Sequence, residues 1–274
     1  MPDSDAVHVA LQSPLWEINA LLVGLVVGSF ANVCIHRLPL GLSVVRPRSR
    51  CPRCQAPIGA LDNVPVLSYV LLRGRCRACR APISPRYPAV ELANGLGYLA
   101  VAVRWGPTPV AVVYMVFISA LLVLALIDFD HQILPDVITL PGTALAILAS
   151  GALWWFDWPG LPHPLVSIAS AAGGYLAFFA VAESYRRARH VEGLGQGDWK
   201  MAAMLGAMLG WQKLLLTVLL AALAGTAVGV ALMALRRQTA QHPLPLGTFL
   251  GIAGIAVVFA GDALLAWYRG VFSL

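Results

Sequence analysis

The chain of 274 residues is 59% apolar and only 12% charged, with a mean hydropathy of +0.75. A soluble globular domain is about 45–50% apolar and about 25% charged, so this composition excludes a soluble, a disordered or a nucleic-acid-wrapping protein. Because the apolar runs are long and do not alternate, they predict helices in lipid rather than a closed barrel. The predicted fold class is an all-α polytopic membrane protein.

Eight apolar runs follow one another along the chain, and each is a candidate transmembrane helix. They cover residues 18–35, 89–103, 109–127, 137–156, 165–183, 199–210, 214–235 and 247–267. The run at 199–210 is shorter than the roughly 20 residues that a membrane crossing needs, so it is tilted, extended by its flanks, or re-entrant. We favour a crossing, because it keeps Arg236 and Arg237 on the basic side of the membrane. No internal repeat is apparent.

Positive charge is concentrated in one loop, between Arg37 and Arg86. Ten of the 19 basic residues lie there against a single acid, Asp62, whereas the segment before the first apolar run holds no Lys or Arg. The positive-inside rule therefore predicts an N-terminus outside and places this loop in the cytoplasm, together with the connections 128–136, 184–198 and 236–246. A basic loop beside a membrane span suits anionic lipid, and we expect no nucleic-acid partner.

These patterns divide the chain into three predicted segments. Residues 1–36 form an N-terminal segment with the first transmembrane helix, residues 37–88 form a cytoplasmic basic domain with four cysteines, and residues 89–274 form the transmembrane core.

Four of the five cysteines form two pairs with the spacing of a metal site. They are Cys51, Cys54, Cys76 and Cys79, with 21 residues between the pairs. A loop with few large apolar groups does not build its own core, so a structural zinc ion bound by four thiolates is predicted, with Arg53, Arg75 and Arg77 balancing the negative charge. Two disulfides or a redox pair are the alternatives, and the reducing cytoplasm disfavours them. Cys34, inside the first span, is interpreted as a packing residue.

A first group of ionisable residues lies at the end of the third apolar run. Asp128 closes the run, Asp130 and His131 follow it, and Asp136 begins the next helix. An acid at a membrane span is costly unless it is paired or hydrated, which makes Asp128 the strongest candidate for a functional role. Asp136 also has a simple structural interpretation as an N-cap or first-turn acid.

A second group lies in a glycine-rich segment before the sixth run. Gly193, Gly195 and Gly197 precede Asp198, and Lys200 follows it. The segment lacks the preceding strand and the residue order of a phosphate-binding loop. Asp198 is either a helix N-cap, with Lys200 reaching to the membrane interface, or a functional carboxylate.

Asp128 and Asp198 are predicted to meet at the cytoplasmic membrane edge, because each stands at the cytoplasmic end of a span. Two carboxyl groups held together do not ionise together easily, so one keeps its proton near neutral pH. Such a pair can hydrolyse a peptide bond: the ionised member takes a proton from water while the protonated member polarises the carbonyl. A proton-coupled transporter using the same aspartates, and a zinc-stapled scaffold without chemistry, are the alternatives.

Three further features have structural interpretations. Gly24 and Gly28 form a small-xxx-small pair that permits close helix packing, and Asn32 and His36 share a helix face that can hydrogen-bond to a neighbouring helix. Glu91 is either an interfacial acid or part of a further active site.

Several motifs resemble the type IV prepilin peptidases, which are bifunctional leader peptidases and N-methyltransferases of type IV pilus and type II secretion systems. The matching segments are Gly28–Val33 with His36–Pro39, Asn63–Tyr69, Arg86–Glu91, Ile127-Asp128, and the GxGD signature at Gly195–Asp198. The paired cysteines also lie where this family has them. Pro245-Leu246-Gly247-Thr248 departs from the family's usual Pro-Phe-Gly-Pro, which we expect to leave the aspartates untouched.

The resemblance implies an aspartic peptidase of the bacterial inner membrane with Asp128 and Asp198 as catalytic residues. It implies that Gly195, Gly197 and Lys200 support the loop and the substrate, and that Cys51, Cys54, Cys76 and Cys79 hold zinc. The implied reaction is cleavage of a prepilin or pseudopilin after a glycine, on the cytoplasmic face. Methylation of the new N-terminus with S-adenosylmethionine is implied by the resemblance alone, without assigned residues.

Overall fold

The computed structural model describes residues 14–190, 194–235 and 244–271, and this part of the chain is helical, with two isolated β-bridges and no strand. The helices are α1 (Pro14–Arg37), α2 (Leu67–Leu71), α3 (Arg86–Trp105), α4 (Pro109–His131), α5 (Asp136–Trp155), α6 (Pro164–Arg189), α7 (Gln196–Ala234) and α8 (Leu246–Val271). The predicted all-α fold is confirmed.

Six of these helices are long and apolar enough to cross a membrane, which makes the chain a multi-pass membrane protein. They are α1, α4, α5, α6, α7 and α8. Helix α3, which corresponds to the predicted span at 89–103, is not among them. Helix α7 covers both the predicted span at 199–210 and nearly all of the one at 214–235. A straight α7 of 39 residues would be about 58 Å long, nearly twice the thickness of the hydrocarbon layer.

Helix α7 is broken at Gly210, where the backbone leaves the helical region with φ 77° and ψ 166°. The chain reverses there. Leu205 before the break and Thr217 after it both approach Gly254 of α8, although they would be about 18 Å apart on a straight helix. Residues 196–209 and 211–234 therefore form an antiparallel helical hairpin. The short run at 199–210 begins three residues earlier than predicted and ends in this turn.

The second half of α7 packs antiparallel to α8 along its length. Lys213 forms an ion pair with Asp262 at one end, with 2.9 Å between Nζ and a carboxylate oxygen, and Gly225 lies against Phe249 nearer the other end. Helix α4 also runs antiparallel to α8, because Gly251 approaches Ala125 and Gly254 approaches Leu121. These contacts bring the start of α8 to the end of α4.

The contacts divide the chain into two compact units, residues 1–119 and 120–274. In the first unit, α1 packs closely on α3 through the two predicted glycines. A Cβ on Gly24 would lie 2.8 Å from Gly95 Cα, and one on Gly28 would lie 2.7 Å from Glu91 Cα. The division into segments 1–36, 37–88 and 89–274 follows composition rather than contacts and stays a prediction.

Polar groups in the first unit hold its two long helices together. Asn94 donates to Gly24 O at 2.7 Å, and Asn32 donates to Tyr87 O at 3.0 Å. Glu91 accepts the Val66 backbone N–H at 2.7 Å, where Val66 has a φ of 60° that is rare for a β-branched residue. Glu91 therefore holds the loop between α1 and α3 in place. This is a more specific structural role than that of an interfacial acid.

Adjacent glycines on α6 offer a matched test of the packing between α6 and α7. A Cβ on Gly174 would lie 2.8 Å from Ala202 O and 2.9 Å from Leu214, whereas a Cβ on Gly173 meets no heavy atom within 4 Å. We expect Gly174→Ala to destabilise the protein by about 1–3 kcal/mol, because the backbone of α7 must move. Gly173→Ala should be neutral or stabilising by up to about 1 kcal/mol. Thermal unfolding in detergent measures both, and equal effects would contradict this packing.

Candidate functional site

Asp128 is buried at the end of α4, with 5% of its surface exposed. Its Oδ2 accepts the backbone N–H of Thr248 at 2.7 Å and lies 3.2 Å from the Thr248 hydroxyl. Thr248 belongs to the first turn of α8, where backbone N–H groups have no partner within the helix. The carboxylate therefore occupies the N-terminus of α8, a position that favours negative charge.

Asp198 lies in the first turn of α7, three residues after Gly195. Its Oδ2 accepts the Gly195 N–H at 3.0 Å, and the Asp198 N–H donates to Gly195 O at 3.1 Å. Gly195 is the N-cap of α7, so the interpretation of Asp198 as the N-cap is wrong. The carboxylates of Asp128 and Asp198 are close enough for their charges to interact, although they are 70 residues apart in the chain. The structure therefore brings the two aspartates into one region, while their location at the cytoplasmic membrane edge stays a prediction.

Leu134 packs against the start of α7, which carries Asp198, and against the start of α8, which contacts Asp128. A Cβ on Gly197 would lie 2.7 Å from Leu134 Cβ, and one on Gly247 would lie 2.9 Å from both Leu134 and the Asp128 carboxyl carbon. Both glycines are therefore needed for close approach. Gly195 is different, since a Cβ there would come no nearer than 3.5 Å, to Asp198 Oδ2.

Lys200 forms an ion pair with the first residue of α5. Its Nζ lies 2.7 Å from each carboxylate oxygen of Asp136. Asp136 is thus a first-turn acid rather than an N-cap, since the N-cap of α5 is Pro135. The pair joins the start of α7 to the start of α5, which is where Lys200 could support the loop. Gly193, also named in the glycine segment, lies outside the described residues.

Sequence reasoning missed three residues that contact or orient the aspartates: Leu134, Gly247 and Thr248. The Pro245–Thr248 departure was expected to leave the aspartates untouched, and that expectation is wrong, because Thr248 donates directly to Asp128. The signal was a polar residue and a glycine at the start of an otherwise apolar helix.

The four paired cysteines form a second cluster, in the loop between α1 and α3. Their four sulfur atoms lie within 4.8 Å of one another, and Cys51 Sγ is 3.8 Å from Cys79 Sγ. A tetrahedral zinc ion with Zn–S bonds of about 2.3 Å separates its sulfurs by about 3.8 Å. The residues therefore fit a closed four-thiolate metal site. Cys34 does not belong to the cluster.

Two equivalent turns build this cluster, and they reveal a repeat that the sequence analysis missed. Arg-Cys-x-x-Cys-x-Ala-Pro-Ile occurs at 50–58 and again at 75–83. Cys51 N–H donates to Ala56 O at 3.0 Å and Cys76 N–H donates to Ala81 O at 2.8 Å, and a β-bridge pairs the Arg and Pro of each turn. The same nine-residue pattern thus supplies each pair of ligands.

The surroundings of the thiols shift the pKa values of two of them in opposite directions. Backbone N–H groups of Cys54 and Arg53 point at the Cys51 sulfur and lower the pKa of Cys51 to about 6. For Cys54, the backbone N–H of Ala56 lowers the pKa, but the neighbouring thiol of Cys79 and burial outweigh it and raise the value to about 11. Four adjacent sulfurs lose their protons together only when a cation is bound.

Arg77 has a different partner from the one expected. It forms an ion pair with Asp62, with 2.6 Å between Nη2 and Oδ1, and this hydrogen bond lowers the pKa of Asp62. Asp62, the one acid of the basic loop, is thereby tied to the second cysteine turn.

Two family profiles match the chain, one after the other along the sequence. A profile described as the type IV leader peptidase family matches residues 115–230, and a profile described as the bacterial peptidase A24 N-terminal domain matches residues 22–105. The chain is 40% identical to the prepilin leader peptidase/N-methyltransferase of Pseudomonas putida, over 94% of this chain and 95% of that protein. The chain belongs to the type IV leader peptidase family.

Further members of the family have the same name and similar lengths. The prepilin leader peptidase/N-methyltransferases of Pseudomonas aeruginosa and Aeromonas hydrophila are 39% and 38% identical, over 95% and 90% of this chain and 96% and 91% of their own lengths. No solved structure matches the chain. Family membership supports the interpretation of the chain as a peptidase and gives no support to the transporter.

Replacement of a cluster cysteine tests the metal site. We expect Cys51→Ser and Cys76→Ser each to lower the zinc content of the purified protein and its folded yield, because each removes one of four thiolates. Cys34→Ser is the matched control and should keep its zinc. Metal analysis of each purified variant measures the content. A wild-type protein that is active yet free of zinc would refute the structural metal.

Proposed function

We propose that this protein is an aspartic endopeptidase that removes the leader peptide of type IV prepilins or pseudopilins and then N-methylates the new N-terminus. The observation that carries the proposal is the pair formed by Asp128 and Asp198 in a member of the type IV leader peptidase family. Relatives that match nearly the whole chain are named for both activities. The polar contacts of the two aspartates come from the first turns of α7 and α8.

In the proposed cleavage, one aspartate is ionised and the other is protonated. The ionised carboxylate takes a proton from a water molecule as the water oxygen bonds to the carbon of the scissile carbonyl. The protonated carboxyl group donates its proton to the carbonyl oxygen. The carbon–nitrogen bond then breaks as the nitrogen receives the proton that the first carboxylate took from water, and the second carboxyl group regains its proton as the carbonyl re-forms. Peptide and water are consumed, and a carboxylic acid and an amine are formed.

The residues around the pair keep this geometry. Gly197 and Gly247 allow the starts of α7 and α8 to close on Leu134, and the Gly195 N–H holds Asp198. Lys200, bound to Asp136, secures the first turn of α7. Gly195, Gly197 and Lys200 are therefore proposed as supports of the loop and of the substrate beside it.

The methyltransferase activity is proposed from the names of the relatives, without residues assigned to it. S-adenosylmethionine, when bound, supplies a methyl group activated by its sulfonium, and the amine released by cleavage is the acceptor. Zinc is proposed as the structural metal of Cys51, Cys54, Cys76 and Cys79, a closed four-ligand set that stabilises the loop rather than the reaction.

We place the protein in the bacterial inner membrane with its N-terminus outside and the aspartates at the cytoplasmic face. The support is the basic loop between Arg37 and Arg86, which the positive-inside rule assigns to the cytoplasm. The same arginines suit the headgroups of anionic lipids. Arg236 and Arg237, which the same counting uses, lie outside the described residues.

Conservative replacement of each aspartate tests the peptidase. We expect Asp128→Asn and Asp198→Asn each to lower prepilin cleavage by about 100-fold or more, because each variant loses one of two proton-transfer groups. Cleavage is measured as the loss of leader mass from a prepilin incubated with purified enzyme, and a further gain of one methyl group reports the second activity. Asp262→Asn, in the distant ion pair with Lys213, is the control and should cleave normally. Full processing by either active-site variant would remove that aspartate from the mechanism.

A further inference from the structure

Thr248 makes an unusual contribution to the aspartate pair, because it offers two donors to one carboxylate oxygen. It is the third residue of α8, so its backbone N–H has no acceptor within the helix. That N–H lies 2.7 Å from Asp128 Oδ2, and the Thr248 hydroxyl lies 3.2 Å from the same oxygen. Both residues are buried, with 8% of Thr248 and 5% of Asp128 exposed. The contact is therefore shielded from water.

The approach between α8 and Asp128 is direct. A Cβ on Gly247 would lie 2.9 Å from the Asp128 carboxyl carbon, so a larger residue there would push the helix away. The absence of a side chain on Gly247 lets the first turn of α8 present its N–H groups to the carboxylate. The positive end of the helix dipole then stabilises negative charge on Asp128.

The two donors respond differently to the protonation state of Asp128. A backbone N–H only donates, so it binds Oδ2 more strongly when the carboxyl group is ionised than when it is protonated. The hydroxyl has one hydrogen and a second acceptor, Ala125 O, at 2.9 Å. It can donate to an ionised Asp128 and can turn to Ala125 when Asp128 is protonated on Oδ1. Thr248 thus favours the ionised form while tolerating the other.

An opposing effect makes these donors necessary. Asp128 lies three residues before the end of α4, where the helix dipole disfavours a negative charge. Burial disfavours the charge as well. Asp198 is in the opposite position, at the start of α7, and accepts the Gly195 N–H at 3.0 Å. The donors that Thr248 supplies therefore counteract the unfavourable effects of burial and of the α4 dipole on the charge of Asp128.

We propose that Thr248 is a positioning residue that holds Asp128 as the ionised member of the pair, so that Asp128 accepts the proton of the attacking water. Asp198 then supplies the proton to the scissile carbonyl. This assignment of roles rests on the proposed function.

Substitutions of Thr248 distinguish its hydrogen bonding to Asp128 from its contribution to packing. Thr248→Val and Thr248→Ala remove the hydroxyl, Thr248→Pro removes the N–H as well, and Thr248→Ser keeps both. Proline is tolerated in the first turn of a helix, so that variant is expected to fold. Thr217→Val is the matched control, because Thr217 is a buried helical threonine whose hydroxyl donates to Lys213 O, four residues earlier.

The readout is the pH dependence of prepilin cleavage by purified wild-type and variant proteins, with kcat and KM measured separately. Loss of a donor to the ionised carboxylate should move the acid limb of kcat/KM to higher pH. We expect a shift of about 0.5 to 1 unit for valine and alanine and a larger one for proline, with kcat affected more than KM. Asp198, whose charge interacts with that of Asp128, is retained in every variant.

The outcomes distinguish the inference from the proposed function. A wild-type protein that does not cleave a prepilin would overturn both. The role of Thr248 is supported if the wild type is active and Thr248→Ser has the same pH profile as the wild type. The acid limbs of Thr248→Val and Thr248→Ala must then be shifted to higher pH, and that of Thr248→Pro must be shifted further. Profiles of the valine, alanine and proline variants that match the wild type and Thr217→Val would overturn the inference alone.

Discussion

Two carboxyl groups that are near enough for their charges to interact repel each other when both are ionised, and the surrounding structure must offset that repulsion. In this protein the offset comes from backbone N–H groups at the starts of two helices, with Thr248 on Asp128 and Gly195 on Asp198. Such groups have no partner within their own helices, so they are available at no cost to the fold. The glycines beside Leu134 bring these donors into reach.

The same constraint explains the arrangement of α7. A carboxylate in its first turn reaches Asp128 only if α7 begins at the end of α4, and the chain must later return to begin α8 at the same place. The reversal at Gly210 achieves both within one stretch of 39 residues. The cysteine cluster is built separately, from two copies of a nine-residue turn that each contribute two sulfurs. We propose that a metal ion bound by these sulfurs, rather than an apolar core, stabilises the loop.

Much of this could be predicted from the sequence, because long apolar runs, paired cysteines and acids at span ends each have a local signature. Asp128, Asp198 and the four cysteines were identified in that way. The contact of Thr248 with Asp128 was not, since it joins residues 120 positions apart and depends on how closely α8 approaches α4. The reversal at Gly210 could not be predicted either, because a single glycine within an apolar sequence is not a specific signal for a turn. The cysteine repeat was visible in the sequence but is obvious only when its hydrogen bonds are compared.

The central claim is that Asp128 and Asp198 act as one unit, and the double variant tests it most directly. Single-turnover cleavage of a prepilin is measured for Asp128→Asn, Asp198→Asn and the variant carrying both. Residues that share one reaction step lose their effect together, so the double variant should be about as slow as the slower single variant. A double variant slowed by the product of the two single effects would show that the aspartates contribute independently, and it would contradict this account.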